Sequence, residues 1–81
     1  MKNIEIWASG GGTNADAIAS YFSENASIRV SCIGCNRREA GAFAVAEKYA
    51  LTATYWSKDN WSTAVILKQL KLRKIDFIVL A

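Results

Sequence analysis

Ile4-Glu5-Ile6-Trp7-Ala8-Ser9-Gly10-Gly11-Gly12-Thr13-Asn14 is the stretch whose reading decides the fold. An apolar run that breaks into glycines and then meets Thr and Asn reads as a β-strand passing through a tight loop into an α-helix. That junction is where α/β proteins commonly hold phosphate. Glycines let the backbone turn sharply and bring amide N–H groups close to an anion, Thr13 and Asn14 add side-chain donors, and the positive end of the helix completes the site. The plainer alternative is a tight turn that only links strand to helix.

Working outward, short apolar segments alternate with longer segments of helical period. This argues for βαβ units and a Rossmann-like, three-layer α/β fold, βαβαβαβ, with a mostly parallel sheet. Strands are expected at about residues 3–8, 28–33, 52–56 and 77–81, and helices at about 14–22, 39–49 and 61–71. The first helix buries Ala15, Ile18, Ala19 and Phe22; the second turns Phe43, Ala46 and Tyr49 or Ala50 inward. The third carries two stripes, Ile66, Leu67 and Leu70 on one side and Trp61, Val65 and Leu72 nearly opposite, so it is expected to touch two things.

Right-handed crossovers from a first strand at the switch point predict the spatial order 3-2-1-4. Phe77-Ile78-Val79-Leu80-Ala81 carries no charge, which suits a strand covered on both faces by helices. The same order leaves it at an edge without the charge, Pro or covering segment that blunts natural edges. Residues 1–81 therefore read as a phosphate-binding piece of one larger, incomplete domain, open to self-association through that edge.

The 81 residues are 52% hydrophobic and 21% charged, a soluble globular composition. A domain of this size buries only roughly 60% of the surface its unfolded chain exposes, so a missing partner surface matters to stability. The formal charge of +3 is spread along the chain, a weak footprint for nucleic acid. No basic leader with a long apolar core precedes the first strand, and no apolar run approaches the roughly 20 residues that span a bilayer. The expected location is the cytoplasm, with neither a membrane nor a nucleic-acid partner.

Cys32 and Cys35 form a C-x-x-C in a segment that reads as extended, not at a helix opening, and the chain has no His. An inert pair is expected, with no metal. Gly10-Gly11-Gly12-Thr13-Asn14-Ala15 also satisfies the dinucleotide pattern G-x-G-x-x-A. Gly34-Cys35-Asn36-Arg37-Arg38, after the second strand, lacks the acid that a free ribose hydroxyl wants, which disfavours NAD. Arg37 and Arg38 could hold the extra phosphate of NADP, so an NADP-binding module of an oxidoreductase stands as the alternative; an exposed basic pair is the simpler reading. Asn36 lies beside the expected crevice, as a ligand-adjacent amide or a turn cap.

Asp16, in the first turn of the first helix, would repel a phosphate if it faced the loop and is expected to face solvent. Glu5 in an apolar strand needs a partner that the sequence does not identify. Tyr21, Tyr55, Trp56 and Trp61 are scattered as packing residues are, and Lys68, Lys71, Arg73 and Lys74 are expected to be solvated at a helix end.

Lys2-Asn3-Ile4 followed by Trp7-Ala8-Ser9-Gly10-Gly11-Gly12-Thr13-Asn14 resembles the opening of the folate-dependent phosphoribosylglycinamide formyltransferases. Cys35-Asn36-Arg37-Arg38, the Ala-rich segment 40–50 and Lys74-Ile75-Asp76-Phe77-Ile78-Val79-Leu80-Ala81 are similar to the family's later landmarks. The resemblance covers the front part of a family member. It implies formyl transfer from 10-formyltetrahydrofolate, as cosubstrate, to glycinamide ribonucleotide in purine biosynthesis. Gly10, Gly11, Gly12, Thr13 and Asn14 would hold the substrate phosphate. The family's Asn-x-His pair and later Asp have no counterpart in these residues, so the resemblance implies no catalytic residue here, a folate pocket outside the chain, and no activity of the 81 residues alone.

Overall fold

The computed structural model describes residues 1–8, 12–37, 41–56 and 62–81. Strands β1 (Lys2–Ala8), β2 (Ile28–Cys35), β3 (Thr52–Tyr55) and β4 (Phe77–Leu80) alternate with helices α1 (Thr13–Phe22), α2 (Ala42–Lys48) and α3 (Thr63–Leu72). All strand pairs are parallel, in the order β3-β2-β1-β4. This is the order that right-handed crossovers from β1 require. The described α2 is shorter than its expected segment, whose Glu39 and Ala40 lie outside the described residues; Trp61 of the third helical segment does too.

Alternation along the strands gives the sheet two unlike faces. On the first, Ile4, Ile6 and Ala8 of β1 and Val30, Ile33 and Cys35 of β2 form one cluster with Ala15 and Ala19 of α1 and Ala42, Val45 and Ala46 of α2. Small side chains on both helices let their backbones lie close to the sheet. Ile18, Phe22, Phe43 and Tyr49 pack around the margin, while Ala50, offered above as an inward residue, is exposed. On the second face, Glu5 and Trp7 stand beside Cys32 and Gly34.

The two faces stay distinct because of an irregularity in β2. Ile4 pairs with Val30, but Glu5 pairs with Cys32, leaving Ser31 as an extra residue that bulges the strand. Its hydroxyl lies 3.5 Å from the Ile4 carbonyl.

Helix α3 differs from its expected form. Ile66 and Leu70 are half-buried, but Leu67 is 51% exposed, and Val65 and Leu72, the described residues of the second stripe, are also exposed. The Ser62 side chain caps the helix by accepting from the Val65 N–H at 3.3 Å. Both α2 and α3 end in the same way, with a left-handed residue, Ala50 or Lys74, at φ 56°. The Leu51 N–H bonds the Ala46 carbonyl and the Ala50 N–H that of Glu47; the Ile75 N–H bonds Leu70 and the Lys74 N–H bonds Lys71. These paired bonds form Schellman caps.

β4 also corrects the expectation of a strand covered on both sides. Phe77 is 58% exposed and Leu80 78%. As an edge strand it has one neighbour, β1, and α3 leaves its outer side uncovered. The entry to β4 is pinned by polar bonds: the Asn3 N–H donates to Asp76 Oδ2 at 2.7 Å, and the Asp76 N–H donates back to the Asn3 carbonyl at 2.8 Å. Among the described residues, no helix is long and apolar enough to cross a membrane.

Candidate functional site

The glycine run follows the carboxyl end of β1, a central strand of the sheet, as the sequence implies. Gly10 and Gly11 lie outside the described residues. Gly12 is buried at the opening of α1 with φ 91°, a left-handed conformation that side chains strain to adopt. Its carbonyl accepts from the Asp16 N–H at 2.8 Å, the first turn of the helix. A Cβ at this position would sit 2.7 Å from the Gly41 carbonyl carbon and 2.9 Å from the Ala42 nitrogen. Gly12 thus lets the start of α1 lie against the backbone at the start of α2. Thr13 and Asn14 occupy the exposed first turn of α1, side by side with Gly12.

Gly12, Thr13, Asp16, Gly41, Val45 and Lys48 line a pocket of about 280 Å³ between the two helices. Asp16 is partly exposed, as expected of a solvent-facing residue, and is also bridged to the end of α2. Its carboxylate accepts from the Tyr49 hydroxyl at 2.6 Å and from Lys48 Nζ at 3.1 and 3.3 Å. The Tyr49 hydrogen bond first, and Lys48 second, hold the Asp16 carboxyl below its usual range, while Asp16 raises the Lys48 amine above its own. Negative charge beside Gly12 is thereby matched by a cation at the end of α2 and the hydroxyl of the residue that follows it. The sequence offered no pointer to this bridge, because its partners lie a full βα unit apart.

A second pocket, of about 400 Å³, lies at the carboxyl ends of β1, β2 and β4, where Trp7, Gly34, Asn36, Trp56 and Leu80 contribute its walls. Asn36 is exposed here and does not line the pocket at Gly12. Arg37 is also exposed, and Arg38 lies outside the described residues.

Glu5 is fully buried on the second face and its partner is Arg73, from the basic stretch expected to be solvated. Arg73 Nη1 lies 2.9 Å from Glu5 Oε1 in an ion-pair contact and donates to the Thr54 hydroxyl at 2.6 Å. Trp7 Nε1 donates to Glu5 Oε2. The guanidinium carbon stands 5.6 Å from the ring centroid of Trp56, whose ring is tilted against Trp7 at 6.1 Å. Lys68, Lys71 and Lys74 are exposed, as expected.

Cys32 and Cys35 are both buried and free. They sit on opposite faces of β2, Cys32 beside Glu5 and Cys35 within the first-face cluster, so the two thiols cannot share a ligand or a disulfide. Cys35 Sγ contacts the Arg37 carbonyl at 3.4 Å.

No protein-family model and no curated protein matches the sequence. Solved structures do match it. The phosphoribosylglycinamide formyltransferase of Anaplasma phagocytophilum is 26% identical with a TM-score of 0.87, over 99% of this chain and 39% of that one. Glycinamide ribonucleotide transformylase 1 of Geobacillus kaustophilus is 35% identical with a TM-score of 0.85, over 99% of this chain and 46% of that one. The phosphoribosylglycinamide formyltransferase of Bacillus halodurans is 29% identical with a TM-score of 0.82, over 99% and 44%. The chain therefore spans less than half the length of these solved relatives. Across its whole length it is similar to part of the phosphoribosylglycinamide formyltransferases, and it shares their Rossmann-like α/β fold.

Proposed function

We propose that this chain is the substrate-phosphate-binding part of a phosphoribosylglycinamide formyltransferase, with Gly10, Gly11, Gly12, Thr13 and Asn14 holding the phosphate of glycinamide ribonucleotide. The observation that carries the reading is Gly12: a left-handed glycine in backbone contact with Gly41, opening a helix directly beyond a central parallel strand. Such a junction aims free N–H groups and a positive helix end at an anion. The Asp16 bridge to Lys48 and Tyr49 supports it, because the acid nearest the loop is already matched. Likeness to glycinamide ribonucleotide transformylases supports glycinamide ribonucleotide as the phosphate carrier.

On this reading the reaction is formyl transfer from 10-formyltetrahydrofolate to the substrate amine, without a metal, in cytoplasmic purine biosynthesis. The 81 residues have no His. They bind and orient the ribonucleotide, and by themselves they do not transfer the formyl group. The uncharged edge of β4 pairs with a further strand, either of the same domain or of a second copy.

Titration calorimetry with glycinamide ribonucleotide, inorganic phosphate and NADPH tests the assignment. Binding of the ribonucleotide is expected, and Thr13→Ala with Asn14→Ala lowers its affinity about ten- to hundredfold, the loss of one or two charge-assisted hydrogen bonds. In the full-length enzyme, which carries the folate pocket, folate affinity is spared. Unchanged ribonucleotide affinity in the double variant, or binding of NADPH in its place, overturns the assignment.

A further inference from the structure

The second sheet face holds a polar assembly that the anion reading does not use. Glu5 is completely buried on a central strand, and the only charged side chain that reaches it among the described residues comes from the end of α3. Arg73 is the residue immediately after that helix, and its side chain is 17% exposed. It touches three parts of the sheet at once: Glu5 of β1, the Thr54 hydroxyl of β3 and the ring of Trp56 just beyond β3. By contrast, the body of α3 is poorly covered, with Val65, Leu67 and Leu72 exposed. An apolar helix face slides at little cost, whereas an ion pair with defined hydrogen bonds has one geometry.

Trp56 connects this assembly to the strand-end pocket. Its ring packs over Gly34, where a Cβ would stand 2.5 Å from the indole nitrogen, so the ring occupies space that only glycine leaves. Arg73 and Trp7 bear on the same ring, and Trp7 and Trp56 together wall the pocket of about 400 Å³. Moving Arg73 would release Trp56 from one of its neighbours.

We propose that Glu5 and Arg73 form a polar latch that fixes where the end of α3 rests on the sheet and, through Trp56, sets the indole wall of the pocket at the strand ends. Both are positioning residues. The latch selects one placement of α3; it is not the main source of stability, since burying an ion pair costs nearly what it returns while leaving one charge alone is heavily destabilising. The inference stands apart from the phosphate assignment.

The test uses Arg73→Gln and the paired replacement Glu5→Leu with Arg73→Met, each in a Trp61→Phe background so that emission reports Trp7 and Trp56. Arg73→Gln is expected to shift indole emission to the red and to raise amide exchange in residues 63–72 at least tenfold, while amides of α1 and α2 keep their protection. The paired replacement is expected to unfold cooperatively at a urea concentration equal to or above that of the parent, with exchange in residues 63–72 still at least tenfold faster. Parent-like emission and exchange in Arg73→Gln would overturn the latch. So would parent-like exchange of α3 in the paired variant, which would show that apolar contact suffices. If Arg73→Gln does not fold, the paired variant decides alone; its own failure to fold would also overturn the proposal, because a latch that only selects position can be replaced by apolar side chains.

Discussion

The two faces of the sheet are built on different principles. The first is closed by small side chains, Ala15 and Ala19 on α1 and Ala42 and Ala46 on α2, against Ile4, Ile6, Val30 and Ile33. The second carries a buried carboxylate, two indoles and a guanidinium, under a helix whose apolar residues are largely exposed. Gly12, at the start of α1, lies on the side of the first. Close-packed helix starts fix the backbone groups there to within a fraction of an ångström. The second face instead relies on directional contacts between a few large groups.

The sharpest way to break this comparison is a cavity on each side. Ile6→Ala removes a completely buried side chain from the first face and is expected to cost about 2–5 kcal/mol by chemical denaturation. Ile78→Ala, on β4 and the second face, removes a side chain that is 38% exposed and is expected to cost less than about 1 kcal/mol. Equal losses would mean that the second face is as tightly packed as the first.

Gly12→Ala probes the contact between helix starts. The left-handed backbone and the approach to Gly41 both penalise a methyl group, and a loss of about 1–3 kcal/mol is expected together with weakened phosphate binding. Parent-like stability and affinity would show that the loop does not depend on that contact. Smaller gains are expected at the helix ends, one on each face: Ala50→Gly and Lys74→Gly relieve left-handed residues in Schellman caps. Each should raise stability by about 0.5–1 kcal/mol in thermal melts. A gain at Ala50 with a loss at Lys74 would show that the cap beside Arg73 has a further role.

The smallest effect is the pH dependence of the Asp16 bridge. Because the folded carboxyl titrates below its unfolded counterpart, its contribution is complete above the ordinary carboxylate range and fades as pH falls through the lowered value. Lys48 is raised, so its part is complete below the ordinary amine range and is lost only as pH rises through the raised value. The difference in melting temperature between the parent and Asp16→Asn should therefore be flat from about pH 5 to 9 and shrink below about pH 4. A difference that persists in acid would mean that the bridge is not ionic.

Where the chain signals itself locally, its fold is legible. The 3-2-1-4 order follows from handedness and the alternation of periods, and the inward face of α1 is readable from the spacing of Ala15, Ile18, Ala19 and Phe22. The place of Gly12 follows from residue chemistry. What could not be read was contact between distant segments: Glu5 was odd and Arg73 was one of four basic residues, and nothing in either neighbourhood names the other. The partners of Asp16 are hidden for the same reason, since Lys48 and Tyr49 come from the end of the next helical segment. The exposure of β4 follows from its edge position, although its composition suggested cover. Nor did Ile28 to Cys35 mark its own bulge, because Ser31 is an ordinary strand residue.

That bulge bears on how the chain tolerates a change of length. Numbering from Ile28, the side chains that reach the first face are 28, 30, 33 and 35, a rhythm interrupted once, at Ser31. A chain lacking Ser31 would alternate without interruption and still present Ile28, Val30, Ile33 and Cys35 to the same helices. One residue can thus be gained or lost in the middle of the sheet without turning β2 inside out, where the same change elsewhere in the strand would exchange its two faces.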